Sequence, residues 1–331
     1  MQTYRLTLQP LSALGTPLAG DTLFGQLCWT LRHQLGNDTL TSLLEGYTQG
    51  QPFAVVSDAL PQGHLPLPSL PSSAWEAEAG SDRKVLKKKR WLPLSSLREQ
   101  LPKWQRLAQA DSALGATLER AQPHNSINRQ TGTTGTGMFA PYTMGQTWLA
   151  PGSQFDVYVA LDSARLSVAQ LQAALTYIGQ HGYGRDASIG LGKFALVGEA
   201  TPVTWELPSQ GTPNAWLTLA PCAPQGLGFC PVRSHWHSMT RFGRHGDVAV
   251  QSGTPFKRPV LLAKTGSVFW PEQLDVRRAF IGQGLGGTAA PVSLTLPETV
   301  QQGYAPVVPI HIPETPETPE TIAASAVLER V

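Results

Sequence analysis

Tyr4, Leu6 and Leu8 alternate with Arg5, Thr7 and Gln9, a period of two that predicts a strand with one buried face. The period then lengthens. Leu23, Phe24, Leu27, Cys28, Leu31 and Leu35 fall within one arc at about 100° per residue, while Thr22, Gln26 and His33 lie opposite. This predicts an amphipathic helix capped by Asp21 and running to about Gly36. FAVVS at 53–57 predicts a short second strand. After a long irregular stretch, Phe155, Val157, Val159 and Leu161 restore the period of two. Ser167 then caps a second helix, in which Val168, Leu171, Ala174, Leu175 and Ile178 share a face and which stops near 179–182. KFALVG at 193–198 supplies a closing strand.

In this order the elements spell β-α-β, insertion, β-α-β, the split βαβ or ferredoxin-like (RRM-like) arrangement of an α+β protein. The insertion stands where a short hairpin loop would be. At roughly 95 residues (58–152) it far exceeds the ~2–5 usual there, so it is expected to be functional or partly mobile. It holds the Pro-rich PQGHLPLPSLP, a basic run, a helix around 97–121 and a Gly/Thr-rich segment. Pro202, Pro208 and Pro213 with Gln210 and Gly211 mark a linker at 201–214, which makes 1–200 the first domain. Strand-like pieces at 216–220, 259–263, 267–270 and 304–310 make 215–312 a smaller β-rich domain, a degenerate copy of the first. PETPETPET opens an acidic tail at 313–331 that has nothing to pack and is expected to be extended or disordered.

Composition narrows the class. Gly 32 and Pro 28 in 331 residues imply many loops and argue against a bundle of long helices. Cys28, Cys222 and Cys230 form no C-x-x-C pair, so reduced thiols are expected rather than a disulfide framework or zinc ribbon. There is no run of ~18 apolar residues and no leader-like start, which points to a cytoplasmic protein with no membrane partner. The formal net charge of +2 conceals an uneven distribution. RKVLKKKR at 83–90 carries six basic side chains, and 231–264 holds six Lys/Arg beside His235, His237 and His245, against the single acid Asp247.

Two segments carry the candidate chemistry. GYGRDASIGLGKF at 182–194 sets Gly182, Gly184, Gly190 and Gly192 between the second helix and the closing strand, with Arg185 and Lys193 as cations. Glycine permits positive φ and close backbone approach, so successive N–H groups can line a concavity for phosphate oxygens. A dinucleotide fingerprint needs a strand before and a helix after, the reverse of the order here, and no Gly-Lys-Ser/Thr of a P-loop occurs. NSINRQTGTTGTGMF at 125–139, with Asn128 and Arg129 before its Gly/Thr-rich centre and Met138 and Phe139 after, suits a protruding hairpin that touches a sugar-phosphate backbone or wedges against bases.

Weaker patterns accompany these. Arg241, Arg244, Lys257 and Arg258 stand beside Phe242 and Phe256, a pairing useful for RNA stacking, although core packing is the ordinary use of such phenylalanines. His33, on the polar face of the first helix, is the candidate proton-transfer group of a metal-independent ribonuclease, where a plain surface histidine is the ordinary outcome. His235-x-His237 lacks a third ligand with metal spacing, so no metal site is expected. No G-x-S-x-G, Cys/His constellation or acidic metal cluster occurs.

YRLTLQPLSALGTPLAGDTLFGQLCW, HNSINRQTGTTGTGMFAP, GYGRDASIGLGKF, TPFKRPVLLAKTGSVFW and QQGYAPVVPI together resemble the RAMP-superfamily subunit that caps the crRNA 5′ handle in type III-A CRISPR (Csm) effector complexes, the fourth Csm subunit. The resemblance spans most of 1–312. It implies tandem ferredoxin-like domains, a β-hairpin thumb from the first, no cofactor and no catalytic role. It also implies a subunit that holds the guide's 5′ handle and joins the large polymerase/cyclase subunit to the backbone RAMP subunit. By motif, handle contacts would come from Gly182, Gly184, Arg185, Ser188 and Gly190, with Gly20, Asp21, Thr22 and Arg241 as further candidates. The thumb would be Asn128, Arg129, Thr131, Thr133, Thr134 and Met138, near the first guide–target base pairs and so near target RNA. A repeat-cleaving endoribonuclease of the same superfamily, using His33, is the alternative.

Overall fold

The predicted opening strand, β1 (Gln2–Pro10), turns Leu6 and Leu8 into the core. It lies in a sheet ordered β6 (Phe194–Pro202), β1, β5 (Phe155–Leu161), β2 (Ala54–Val56), with every neighbouring pair antiparallel. That pairing makes β1 parallel to β2 and β5 parallel to β6. The helices α1 (Gly20–Leu35) and α2 (Val168–His181) therefore lie on two crossovers, giving two split βαβ units in one sheet. The computed structural model describes residues 1–76, 82–115, 117–206, 211–246, 249–250 and 254–313. The PET-repeat tail from 314 on, Asp247 and part of the 201–214 linker lie outside them.

Both helices bury the predicted faces. Leu23, Phe24, Leu27 and Leu31 of α1 and Leu171, Ala174, Leu175 and Ile178 of α2 pack with Leu6, Val157 and Val159 in one core. Ser167 caps α2 through a full capping box with Gln170, and Gly182, at φ +101°, ends it. Asp21 does not cap α1. Ala19 is the N-cap, without a side-chain bond, and Asp21 sits inside the first turn, where an arginine claims its carboxylate.

The insertion divides into a cover and a thumb. The helix expected around 97–121 does not form. Pro102, which has no N–H to give a helix, sits in the 3₁₀ turn Leu101–Lys103, after a second such turn at Leu94–Arg98 and before one helical turn at Trp104–Leu107. Leu65, Leu92, Leu97, Leu101 and Trp104 instead pack on Leu217, Val308 and Ile310. Much of the described insertion thus covers a second core. The thumb is the antiparallel hairpin of β3 (Leu118–His124) and β4 (Tyr142–Trp148).

The C-terminal sheet is ordered β10 (Val268–Phe269), β7 (Ala215–Thr218), β12 (Tyr304–Ile310), β11 (Phe280–Gly282) and, among the described residues, carries no α-helix. Its second face buries Trp216, Phe269, Ile281 and Val307. Beside it β8 (Ser238–Arg241) pairs with β9 (Val260–Ala263). The buried Gln302 amide accepts from the Val56 N–H and donates to the Val56 carbonyl, both at 2.8 Å, which satisfies Val56 at the open edge of β2. Tyr304 crosses into the first core, donating its hydroxyl to the Tyr47 carbonyl at 2.5 Å.

Candidate nucleic-acid interface

The glycine-rich segment after α2 folds onto the loop after β1. Tyr183 is fully buried, donates its hydroxyl to the Pro17 carbonyl at 2.7 Å and accepts the Ala19 N–H at 3.1 Å. A Cβ on Gly192 (φ +72°) would fall 2.1 Å from the Tyr183 carbonyl oxygen, and one on Gly184 (φ +74°) 2.7 Å from Thr16 Cβ. One on Gly182 would fall 2.6 Å from the Leu191 carbonyl oxygen. Three of the four glycines therefore serve close packing within the chain. Gly190 (φ +97°) faces open space, next to the 3₁₀ turn Ala187–Ile189. The outward part of the segment is Arg185, Ser188, Ile189 and Lys193, all exposed, around Gly190.

Neighbouring elements hold this segment in place. Gln26 on α1 donates to the Gly182 carbonyl at 3.3 Å and accepts the Gly184 N–H at 3.1 Å, so the loop lies over the Gln26 position of the helix's polar face. Arg185 donates its backbone N–H to Thr16 Oγ1 at 3.0 Å and its guanidinium to the Gly145 carbonyl on β4 at 2.8 Å. Leu14 and Thr147 exchange two backbone bonds of 2.9 Å. The base of the thumb is thereby fixed against the glycine segment, two motifs separated widely in the sequence.

The turn at Gly20, Asp21 and Thr22 meets Arg241, the other pair of separated candidates. Arg241 makes a bidentate pair with Asp21, at 2.6 Å for both contacts, and donates to Thr22 Oγ1 at 2.8 Å. The Asp21 side chain is 6% exposed and that of Arg241 27%. Burial penalises the guanidinium, and the bonds to Asp21 and its charge outweigh that penalty, so Arg241 is held charged. Gly20 gives its N–H to Asp58 Oδ1 at 2.8 Å, and a Cβ there would meet the Val56 carbonyl oxygen at 2.3 Å. Thr265 donates to the other Asp58 oxygen. Burial pushes the Asp58 carboxyl up to about 6 against the pull of the Thr265 and Gly20 bonds; Asp21 adds to the rise and Arg241 relieves it. These groups lock the start of α1, the exit of β2 and the β8–β9 ribbon together. Asp58, Thr265, Gln26 and Thr16 had no local signal in the sequence.

At the thumb tip, Asn128 pairs through its backbone with Thr133, and its side chain accepts the Gln130 N–H at 2.9 Å. Thr131 and Thr133 hydroxyls bond at 2.9 Å. Arg129, Thr131, Thr133 and Thr134 are exposed, and Met138 is 83% exposed. Phe242 and Phe256 do not pack in the core: they are 71% and 66% exposed, because they alternate outward on a ribbon whose other face is buried. In the basic run Lys89 donates to the Arg106 carbonyl at 2.6 Å and Arg90 lies 3.3 Å from Asp111, while Arg83, Lys84, Lys87 and Lys88 are exposed. His33 is exposed in the last turn of α1, its ring 6.4 Å from that of Trp29. Among the described residues, no group of three His, Cys, Asp or Glu is placed to hold a metal ion, and no helix is long and apolar enough to cross a membrane.

No protein-family model matches the chain, and no curated protein matches it. Solved structures do. A chain of a Csm1–Csm4 cassette in complex with pppApA is similar at TM-score 0.59 and 14% identity, over 95% of this chain and 100% of that one. A chain of the cassette in complex with AMPPNP gives 0.57 and 14%, over the same shares. A chain of a Csm3–Csm4 subcomplex in the type III-A CRISPR-Cas interference complex gives 0.56 and 12%, over 94% and 100%. Csm4 is the component common to both kinds of assembly, and this chain shares the fold of the chain it matches in each.

Proposed function

We propose that the chain is a non-catalytic RNA-binding subunit of a type III-A CRISPR interference complex, acting in antiviral defence, that holds the crRNA 5′ handle. In that reading its C-terminal sheet, within residues 215–312, is a second, degenerate ferredoxin-like unit with no α-helix among the described residues, following a first unit over 1–200. Its partners are a large polymerase/cyclase subunit and a backbone RAMP subunit, as in the Csm1–Csm4 and Csm3–Csm4 assemblies of similar fold. The observation that carries the reading is the convergence of the glycine segment and the thumb base through Arg185, which leaves Ser188, Gly190 and Lys193 facing outward on one edge. Cations and backbone N–H groups there suit phosphate oxygens, and the thumb projects from the same edge toward guide and target. Gly182, Gly184, Gly20, Asp21, Thr22 and Arg241 then act by shaping that edge.

Phosphate neutralisation makes affinity salt-sensitive. Lys193→Ala tests the contact directly, since its side chain is exposed; Arg185→Ala tests contact and thumb anchoring together. Both are expected to weaken binding of repeat-derived RNA in a filter or polarization assay, and unchanged affinity in the double variant refutes the assignment. Incubation with repeat RNA in EDTA separates the nuclease reading. Intact RNA is expected; cleavage abolished by His33→Ala would replace the proposal.

A further inference from the structure

The β8–β9 ribbon continues past its named strands: Arg244 pairs with Phe256, and Lys257 donates its N–H to the Gly243 carbonyl at 2.8 Å. Its two faces differ in chemistry. Arg241, Gly243, His245 and Lys257 are half-buried or buried on the inner face. That face lies along α1: Arg241 holds Asp21, and Gly246 sits where a Cβ would be 3.4 Å from the Trp29 ring. Thr240, Phe242 and Arg244 on one strand, and Phe256, Arg258 and Leu261 on the other, are exposed. The pairing shifts by one residue between Arg241, opposite Val260, and Arg244, opposite Phe256, and in that interval the Arg258 N–H turns away to the Val292 carbonyl at 2.7 Å.

From this we infer that the outer face of the ribbon is a stacking platform for unpaired RNA bases, with Phe242 and Phe256 as the rings and Arg244 and Arg258 as the phosphate partners. The inference rests on the RNA-binding reading above and adds a site to it. Two large rings held in water serve no core. The Arg244 guanidinium already lies 5.7 Å from the centre of the Phe256 ring, a planar cation positioned to extend a stack. The charged groups on this face are cationic and no carboxylate among the described residues of 238–264 opposes them, which favours a polyanion over an acid-bearing protein surface. Alternating rings and cations on a rigid two-stranded support are what sequence-tolerant single-strand binding requires.

The test uses the full-length chain and a single-stranded repeat-derived RNA, titrated at several salt concentrations. Phe242→Ala with Phe256→Ala is expected to weaken binding about tenfold or more without changing the salt slope, and Phe242→Tyr with Phe256→Tyr to restore it. Arg244→Ala with Arg258→Ala is expected to reduce the slope by about 0.7 for each phosphate no longer neutralised. The Phe→Ala variant binding RNA as the wild type does overturns the platform and leaves the handle reading standing. If the wild type binds no RNA, both fail. Unchanged RNA affinity with failed copurification of a protein subunit overturns the platform in favour of a protein interface. The unfolding midpoint of each variant separates misfolding from removal of a base-stacking ring, and the tyrosine variant decides where the alanine variant is unstable.

Discussion

Arg241→Ala removes one partner of a buried ion pair and leaves the other in place. The Asp21 carboxylate, 6% exposed, loses two charge-assisted bonds of 2.6 Å and keeps the Thr22 hydroxyl at 3.3 Å. Breaking a buried pair from one side costs about 3–5 kcal/mol, because the surviving charge stays desolvated. Arg241 is 27% exposed, so water can enter the space it vacates, which places the expected loss near the lower end, about 3 kcal/mol. Asp21→Ala strands the more exposed member and is expected to cost about 1.5–3 kcal/mol. The double variant should be less destabilised than the two losses added, with a coupling of about 2 kcal/mol. Urea unfolding with linear extrapolation measures all three. A loss under about 1 kcal/mol for Arg241→Ala, with additive behaviour in the double variant, refutes the brace. The same variants separate brace from RNA contact. If Arg241 acts through Asp21, both single variants lower RNA affinity alike, whereas a direct phosphate contact makes only the arginine variant weak.

The remaining expectations follow from single interactions. Asp58 has its carboxyl raised from 3.8 to about 6, so its favourable contribution is complete below about pH 4 and is lost as pH rises through 6; wild type minus Asp58→Asn in pH-dependent unfolding should show that trend, at most about 3 kcal/mol, and a flat difference refutes it. Gly192→Ala should unfold most of the population at temperatures where wild type is native, since its Cβ meets backbone at 2.1 Å, whereas Gly190→Ala, in open space, should cost only about 1 kcal/mol for its positive φ; equal melting temperatures would show that the segment is not packed against Tyr183. Ser167→Ala should cost about 1 kcal/mol through the missing capping box, read by thermal melting. Cys28 is half-buried, and burial pushes its thiol up to about 12, so iodoacetamide should alkylate it in the native protein more slowly than a free thiol; labelling at the free-thiol rate would refute the shift.

The elements of the first sheet are legible because each obeys one period over enough residues: two in β1 and β5, 3.6 in α1 and α2. Ser167 is legible as a cap because Gln170 completes the box locally, while Asp21, with the same residue chemistry, misleads because its partner lies 220 positions away. The helix around 97–121 fails for a similar reason. Leu97, Leu101 and Trp104 carry helical spacing, but they face a sheet built from 215–310, and Pro102 interrupts the backbone between them. Residue type alone puts Phe242 and Phe256 in the core, and only the pairing of Arg244 with Phe256 reveals which side of the ribbon they occupy. Glycine-rich 182–192 is legible as a special backbone, but whether positive φ serves a ligand or the chain's own packing depends on Thr16, Tyr183 and Leu191, and the two uses share one sequence signature.

The thumb, the glycine segment and the ribbon are all anchored to the two ends of one short region, the loop after β1 and the first turns of α1. Leu14 holds the thumb, Thr16 and Gln26 hold the glycine segment, and Asp21 and Thr22 hold the ribbon through Arg241. None of these anchors is an apolar contact that could slide; each is a directed bond, and the Asp21–Arg241 pair is bidentate. A surface assembled this way keeps its outward groups at set distances only while the anchors hold. An RNA strand following the edge would meet Lys193 and Ser188 beside the thumb and, across the start of α1, the rings of the ribbon. Loosening one anchor, as in Thr16→Ala, should therefore reduce RNA affinity more than it reduces folding stability, although Thr16 presents no charge to a phosphate. Comparing the two free-energy losses for that variant tests the arrangement, and a stability loss equal to or larger than the binding loss contradicts it.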